Sequence, residues 1–391
     1  MKITSPLYHP LFKLLGQSKA WADQRHLQTV CWMVIGLICS GCINLTSWST
    51  YTESRANFAQ SHQRRFSRWL HNSRINAHRL YKPIIQDALA DWDSSDIRVI
   101  EDTTMLWNQY CLVRLSVQYR GRAVVLGWRV LEKSSSSVAL KEYEDLLRAS
   151  AKLLPPGVKV IFLADRGFAD TKLMSFVTQE LGWHHRIRLK SNAWIFRRGY
   201  GWKQLRDFHL GHGEAWLMQN VKLTKTHEYG LLHLALARDP LSGELWYIVS
   251  DEPTTLQTFA EYAERFDIEE EFLDEKSNGF QLPKSEIRSV TALSRLCFVV
   301  AVAALWLTSQ GEQVVASGMR RRVDCHWFRG NSYLRIGWDW LKAVIHKGWK
   351  LFPKMTLSGR ADPEPAMASW KQASKKLERE FTVKSITYMA C

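Results

Sequence analysis

The sequence predicts an α/β protein in which a mixed sheet is flanked by helices, with a basic helical segment before it and a β-rich insertion within it. Three observations predict this. Residues 96–190 alternate strand-like and helix-like runs, residues 191–250 lose the helical runs and fill with glycine turns and short apolar stretches, and residues 1–92 carry helical patterning rich in arginine. At 391 residues the chain is long enough for two or three domains.

The elements follow in order. The run "VCWMVIGLICSGCINL" (30–45) falls short of the roughly 18–20 apolar residues of a membrane span and reads as a buried helix. From Thr52 to Lys82 the chain carries Arg55, Arg64, Arg65, Arg68, Arg74, Arg79 and Lys82, with Phe58, Phe66 and Trp69 interleaved. Basic side chains on a helix contact phosphates and fix register on a duplex; the alternative is a solvated face with an apolar back. "DIRVIEDTT" (96–104) reads as a strand ending in an acid, and "LVRLSVQY" and "AVVLGWRVL" flank "RGR" (120–122) as a hairpin. "VALKEYEDLLRASAKLL" (138–154) has helical spacing and is broken by "PPG" (155–157). "VKVIFLADRGF" (158–168) is a buried strand ending at Asp165 in a tight turn; a helix over 170–183 and a strand over 186–190 follow. "EAWLMQNVKL", "LLHLALA" and "ELWYIVS" supply insertion strands. A helix from about Thr255 to Asn278, stopped by Gly279 and Pro283, precedes an apolar helix over 290–308 and a basic tail with "MRRR" (319–322). The twelve apolar residues 296–307 are likewise too few for a membrane span.

Composition narrows the partner. Lys and Arg number 53 against 38 Asp and Glu, a formal charge of +15, which points to a polyanion and to nucleic acid ahead of an anionic membrane. The seven cysteines (31, 39, 42, 111, 297, 325, 391) are odd in number, and no cleavable signal peptide opens the chain, so reduced thiols in a cytoplasmic protein are expected. Cys39 and Cys42 form a CxxC without a second Cys/His pair at zinc spacing, and His184–His185 and "HLGHG" (209–213) also lack a matching partner set.

Asp102 and Asp165 each end an expected strand, and neighbouring strands share a common end where two such carboxylates can meet. Paired carboxylates suit Mg²⁺, which takes substrate phosphate oxygens as further ligands. The third acid comes from "YAERFDIEEEFLDEK" (262–276). At about 100° per residue, Tyr262, Arg265, Glu269 and Lys276 fall within about 60° of one another on a helix, whereas Glu270 and Glu271 point elsewhere. A stripe of Tyr, Arg, Glu and Lys suits cations gripping phosphates beside an acid reaching a metal; the remaining acids are expected to be a solvated surface. Taken singly, a strand-end Asp is more often a turn residue, and an Arg/Glu/Lys face more often a solvated salt-bridge ladder. The combination carries the inference.

On these residues the chain resembles bacterial insertion-sequence transposases with a DDE catalytic site. Tyr262-x2-Arg265-x3-Glu269-x6-Lys276 matches their Y-R-E-K signature, "LADRGF" (163–168) and "IEDTT" (100–104) resemble the segments around the second and first Asp, and "LWYIVSDEP" (245–253) resembles the strand before the signature helix. The resemblance spans roughly residues 95–310. It implies an RNase H-like core interrupted by a β-strand insertion, and cut-and-paste transposition with Mg²⁺, or Mn²⁺ as a substitute, through nicking, a hairpin intermediate and strand transfer. Asp102, Asp165 and Glu269 would be the metal ligands, and Tyr262, Arg265 and Lys276 would hold terminal phosphates and a flipped base. Trp246 stands where the family carries a stacking Trp, with Trp216 and Trp202 as nearby alternatives. The domains expected are a helical DNA-binding region (1–92, with Arg64, Arg65 and Arg68), the core in two parts (93–190 and 251–310), the insertion (191–250) and a basic C-terminal region (311–391). Partners would be element ends and target DNA, with a homodimer in the synaptic complex and no membrane. The alternatives are a catalytically silent DNA-binding protein of transposase descent and, on residues 30–45 alone, a membrane-associated protein.

Overall fold

The computed structural model describes residues 5–239, 243–276, 279–366 and 385–389. Five helices come first: α1 (Tyr8–Gly16), α2 (Gln24–Ser40), α3 (Leu45–Trp48), α4 (Ala59–Leu70) and α5 (Ala77–Leu89). The apolar run centred on residues 30–38 is the buried part of α2. This helix stops where Gly41, at φ 66°, returns its N–H to the Leu37 carbonyl, a left-handed cap that glycine adopts without strain. Asn44 then caps α3, and the chain bends by 102°, so the run is no straight span.

The core follows as β1 (Asp96–Leu106), β2 (Tyr110–Tyr119), β3 (Arg122–Glu132), α6 (Glu144–Ala151), β4 (Lys159–Ala164), α7 (Thr171–Ser175, extended by a π turn over Phe176–Glu180) and β5 (His184–Arg188). The β2–β3 hairpin turns at Arg120 and Gly121, both at positive φ, as a two-residue hairpin loop requires. β1 and β2 are antiparallel while β1, β4 and β5 are parallel, and β4 is buried on both faces from Val160 to Ala164, the pattern of a central parallel strand. The strand order β3-β2-β1-β4-β5, covered by helices, is the mixed RNase H-like sheet expected.

The insertion contributes β6 (Trp194–Arg197), β7 (Gly201–Gln204), β8 (Glu214–Leu223), β9 (Tyr229–Arg238) and β10 (Leu245–Ser250). β10 pairs with β9 on one side and β5 on the other, so insertion and core form one continuous sheet. The signature region is α8 (Gln257–Ala263), a 3₁₀ turn (Glu264–Phe266) and α9 (Asp267–Lys276). The expected single helix is therefore broken at Arg265, and its expected last residue, Asn278, lies outside the described residues. Gly279 fits the stop: a Cβ there would lie 2.1 Å from the Asp274 carbonyl oxygen.

Then come α10 (Val290–Ala316), α11 (Tyr333–Lys347) and β11 (Ser385–Met389), which pairs with β8. At 27 residues α10 exceeds the expected length and is long and apolar enough to cross a membrane. In this fold 78% of its most apolar window is buried, packed against β3, α2, α5 and α11. Close approach requires glycines where it meets α11: a Cβ on Gly337 would lie 1.8 Å from the Leu307 carbonyl oxygen.

Candidate active site

The parallel register of β1 and β4 runs from Asp96↔Lys159 to Glu101↔Ala164. The next residue along the chain from each end of this pairing is Asp102 and Asp165, so the two acids follow on neighbouring strands about 4.8 Å apart in backbone. β1 does not end at Asp102, as expected, but runs on to Leu106 paired with β2 alone; the acid marks the end of the parallel pairing, not of the strand. Asp165 also closes its own turn by accepting from the Gly167 N–H at 2.6 Å, which glycine permits because a Cβ there would lie 2.9 Å from that oxygen.

The 3₁₀ turn aims Arg265 inward. Its guanidinium, only 6% exposed, donates to Asp102 at 3.3 Å and to Glu269 at 2.6 Å. Asp102, Arg265 and Glu269 thus form one bridge across the rim, with the Glu269 side chain 53% exposed. Burial pushes the Asp102 carboxyl up to about 6; Arg265 and the Thr103 N–H pull it down, and the charges of Asp165 and Glu269 push it further up. Asp102, Asp165 and Glu269 are near enough to feel one another's charge, but Arg265 stands between Asp102 and Glu269, and among the described residues the three do not bring their oxygens within 4.8 Å of one another; a shared divalent cation would have to displace the guanidinium.

The rest of the signature surrounds this bridge. Lys276 donates to the Thr104 hydroxyl and, at 3.0 Å, to the Met105 carbonyl, which ties the end of α9 to the extension of β1. Tyr262 is fully buried, its hydroxyl pushed up to about 12 by burial, and its ring packs edge-on to Trp246 at 5.5 Å. Tyr262 therefore offers no exposed atom to DNA in this form; it seats Arg265 and Trp246. Trp246 is half-buried, with the Arg188 guanidinium 5.8 Å from its ring. Trp202 lies on β7 against Phe196, and Trp216 on β8 against Phe208; of the three, Trp246 is the one whose ring meets Tyr262.

Of the acids expected to be a solvated surface, Glu270 is exposed but Glu271 and Glu275 are not. Glu271 and Glu275 are buried and clasp Arg114, itself 1% exposed, at 2.7, 2.8 and 2.9 Å. Arg114 is the β2 residue opposite Asp102, so this clasp fixes α9, and with it Glu269 and Lys276, to the strand beside the carboxylates. Glu264 pairs with Arg98 at 3.0 Å. The sequence held a signal for the clasp: an arginine inside the apolar run "LVRLSV", and two glutamates four apart on the helix face opposite the signature stripe.

On α4, Arg64 and Arg68 are exposed one turn apart, whereas Arg65 turns inward to the Thr29 hydroxyl at 3.0 Å. Arg55, Arg74, Arg79 and Lys82 are also exposed, and none of these six cations forms an ion pair among the described residues. Phe66 and Trp69 are core; Phe58 is 75% exposed. In the tail, Arg320 is buried while Arg321 and Arg322 are exposed. The six described cysteines are free, Cys391 lies outside the described residues, and Cys39 and Cys42 gather no metal-ligand set.

The family model for the transposase DDE domain matches residues 90–306. No curated protein matches. Among solved structures, the piggyBac transposase synaptic complex with hairpin DNA, seen by cryo-electron microscopy, is similar at 9% identity over 88% of this chain and 78% of that chain, with a TM-score of 0.44. The match covers more than half of the sequence and takes in Asp102, Asp165, α8 and α9; the chain belongs to the DDE-domain transposases.

Proposed function

We propose that this chain is an active insertion-sequence transposase that binds the inverted-repeat ends of its element, cleaves them by metal-dependent phosphodiester hydrolysis through a hairpin, and joins them to target DNA. What supports the reading is that Asp102 and Asp165 follow directly on the parallel pairing of β1 and β4 and that Arg265 bridges Asp102 to Glu269 of α9. In this reading residues 1–92 hold the ends, residues 93–190 and 251–310 make the core, and residues 191–250 present Trp246. The working form is a homodimer on two ends in the bacterial cytoplasm.

Asp102, Asp165 and Glu269 would hold Mg²⁺, or Mn²⁺ in its place; a bound divalent ion activates an attacking oxygen and stabilises the leaving one. Arg265 supplies fixed positive charge between Asp102 and Glu269, where a scissile phosphate enters, and its near-complete burial holds that charge in place without reorganisation. Lys276, tethered to Thr104 and Met105, supplies a second cation along β1. Trp246 stacks on the base that leaves the duplex when the hairpin closes, an interaction of about 1–3 kcal/mol.

The test is cleavage of a duplex carrying the element's end. Asp102→Ala, Asp165→Ala and Glu269→Ala are each expected to abolish Mg²⁺-dependent cleavage while end binding persists, and Glu270→Ala to be mild. A Glu269→Ala variant that cleaves at the wild-type rate refutes the assignment of the third carboxylate.

A further inference from the structure

The segment between α10 and α11, residues 317–332, is a loop whose interior is built from buried charge. Arg320, 3% exposed, donates to Asp324 at 3.0 Å, to the His326 carbonyl at 2.8 Å, to the Trp327 carbonyl at 2.8 Å and to Glu364 at 2.7 Å. Asp324, 1% exposed, also accepts from the Gly330 N–H and the Asn331 amide at 3.2 and 3.3 Å, and meets the His326 ring at 2.5 Å. Arg329, 2% exposed, pairs with Asp362 at 2.7 Å. Gly330 is required by space, since a Cβ there would lie 2.7 Å from the His326 ring nitrogen. A loop tied this closely has a fixed shape.

That shape presents apolar rings to solvent. Trp327 is 78% exposed and Phe328 63%. The Arg321 guanidinium lies 4.4 Å from the Trp327 ring, and Arg322 and Lys347 lie 5.8 and 5.2 Å from Trp349. Arg321, Arg322 and Lys347 are exposed, and none forms an ion pair among the described residues. The loop's acid, Asp324, is consumed inside.

We infer that this loop is a second DNA-binding element: Trp327 and Phe328 wedge into a base step of duplex target DNA while Arg321, Arg322 and Lys347 hold the flanking phosphates. Exposed rings on a rigid mount with cations beside them suit insertion between base pairs, which is costly unless the wedge is pre-shaped and the backbone is gripped. The contact inferred needs no base-edge hydrogen bond: the rings enter a base step and the cations hold phosphates, while Asn331 and the His326 Nδ1 are engaged by Asp324. A contact without base reading suits DNA of arbitrary sequence, hence the target and not the fixed element ends. The loop also lies away from the carboxylates. Tyr333, which follows it, packs on Tyr119 and Arg120 at the β2–β3 turn, five residues along β2 from Arg114, the partner of Asp102. Tyr119 stands about 17 Å along β2 from Arg114.

The inference rests on the target-joining part of the proposed function, and its test separates the two because binding is read in EDTA, without cleavage. The full-length protein is titrated with a random-sequence 30-base-pair duplex and with the same duplex bearing a central T·T mismatch, which lowers the cost of unstacking. The wild type is expected to prefer the mismatched duplex by about tenfold. Trp327→Ala/Phe328→Ala should erase that preference and Trp327→Tyr should keep most of it. Arg321→Ala/Arg322→Ala should weaken both duplexes and lower the salt slope by about two. Three results overturn the inference: a preference that survives the double aromatic variant; a loss of binding confined to a duplex carrying the element's end; and a change of sedimentation mass in the aromatic variant with DNA binding intact, which would make the surface a protein interface.

Discussion

Replacing Arg114 by Met tests whether the buried clasp holds the active site together. Arg114, Glu271 and Glu275 are 1%, 5% and 2% exposed, so none of the three can turn to water without opening the interface between α9 and the sheet. Burial works against the Arg114 charge, and Glu275 and Glu271 more than offset it. Methionine fills much of the same volume but leaves two carboxylates facing each other in a dry site. Removing one partner of a buried ion pair costs about 3–5 kcal/mol, most of it the penalty of the charge left behind. The triple variant Arg114→Met/Glu271→Leu/Glu275→Leu carries no such charge and is expected within about 1 kcal/mol of wild type, or above it. Urea denaturation followed by tryptophan fluorescence reads both. A loss from Arg114→Met below about 1 kcal/mol refutes the claim that the clasp holds α9 to the sheet, and a triple variant as unstable as the single refutes the assignment of that loss to the charge left behind. Cleavage adds a second reading. The triple variant should retain substantial activity, because Glu269 keeps its own tether to Arg265.

Three further outcomes are expected. Trp246→Ala should leave first-strand nicking near normal and slow hairpin formation roughly ten- to a hundredfold, with partial rescue by an abasic site at the flipped position; equal loss of both steps without rescue would make Trp246 a packing residue of β10. Arg64→Ala/Arg68→Ala should lower the salt slope of end binding by about two, whereas Arg65→Ala should cost stability and leave the slope alone. Burial holds the His185 imidazole down to about 4, with Asp251 working the other way. A histidine depressed in the folded state stabilises fully above its ordinary value near 6.5. Stability should therefore fall by up to about 1.4 kcal/mol per pH unit between pH 6.5 and 4, and His185→Gln should flatten that slope in urea midpoints.

The parts of the site legible in the sequence were those set by local pattern. "VIFLA" is apolar on both faces and so central, which puts Asp165 at a strand end whatever the rest of the chain does. The spacing of Tyr262, Arg265, Glu269 and Lys276 sits within one short segment. What was not legible depends on distant partners. Arg114 and Glu271 are 157 residues apart, and helical periodicity alone cannot tell a carboxylate facing solvent from one facing a buried guanidinium. Arg65 belongs to the same class: its neighbours Arg64 and Arg68 are exposed, and the packing of α4 on Thr29 of α2 turns it inward. The 3₁₀ break at Glu264–Phe266 has no glycine or proline to announce it, yet it carries Arg265 into reach of both Asp102 and Glu269.

The shared strand β10 makes the enzyme a ruler. Val249 is level with Ile187 of β5, and Ile187 with Ala164 of β4. Trp246 therefore lies two strand widths, about 10 Å, to the side of the Asp165 position and about two residues, roughly 7 Å, further along the strand direction. No hinge intervenes to adjust that offset. A sheet can be reset only by shifting register, and the smallest shift that keeps every side chain on its own face is two residues, about 7 Å. DNA advances only about 3.4 Å per base pair. If Trp246 and Asp165 act as proposed, the distance between the extruded base and the cut phosphate is graduated more coarsely in the protein than in the DNA. In that reaction a shift of one base pair at an element's end would have to be corrected by the DNA.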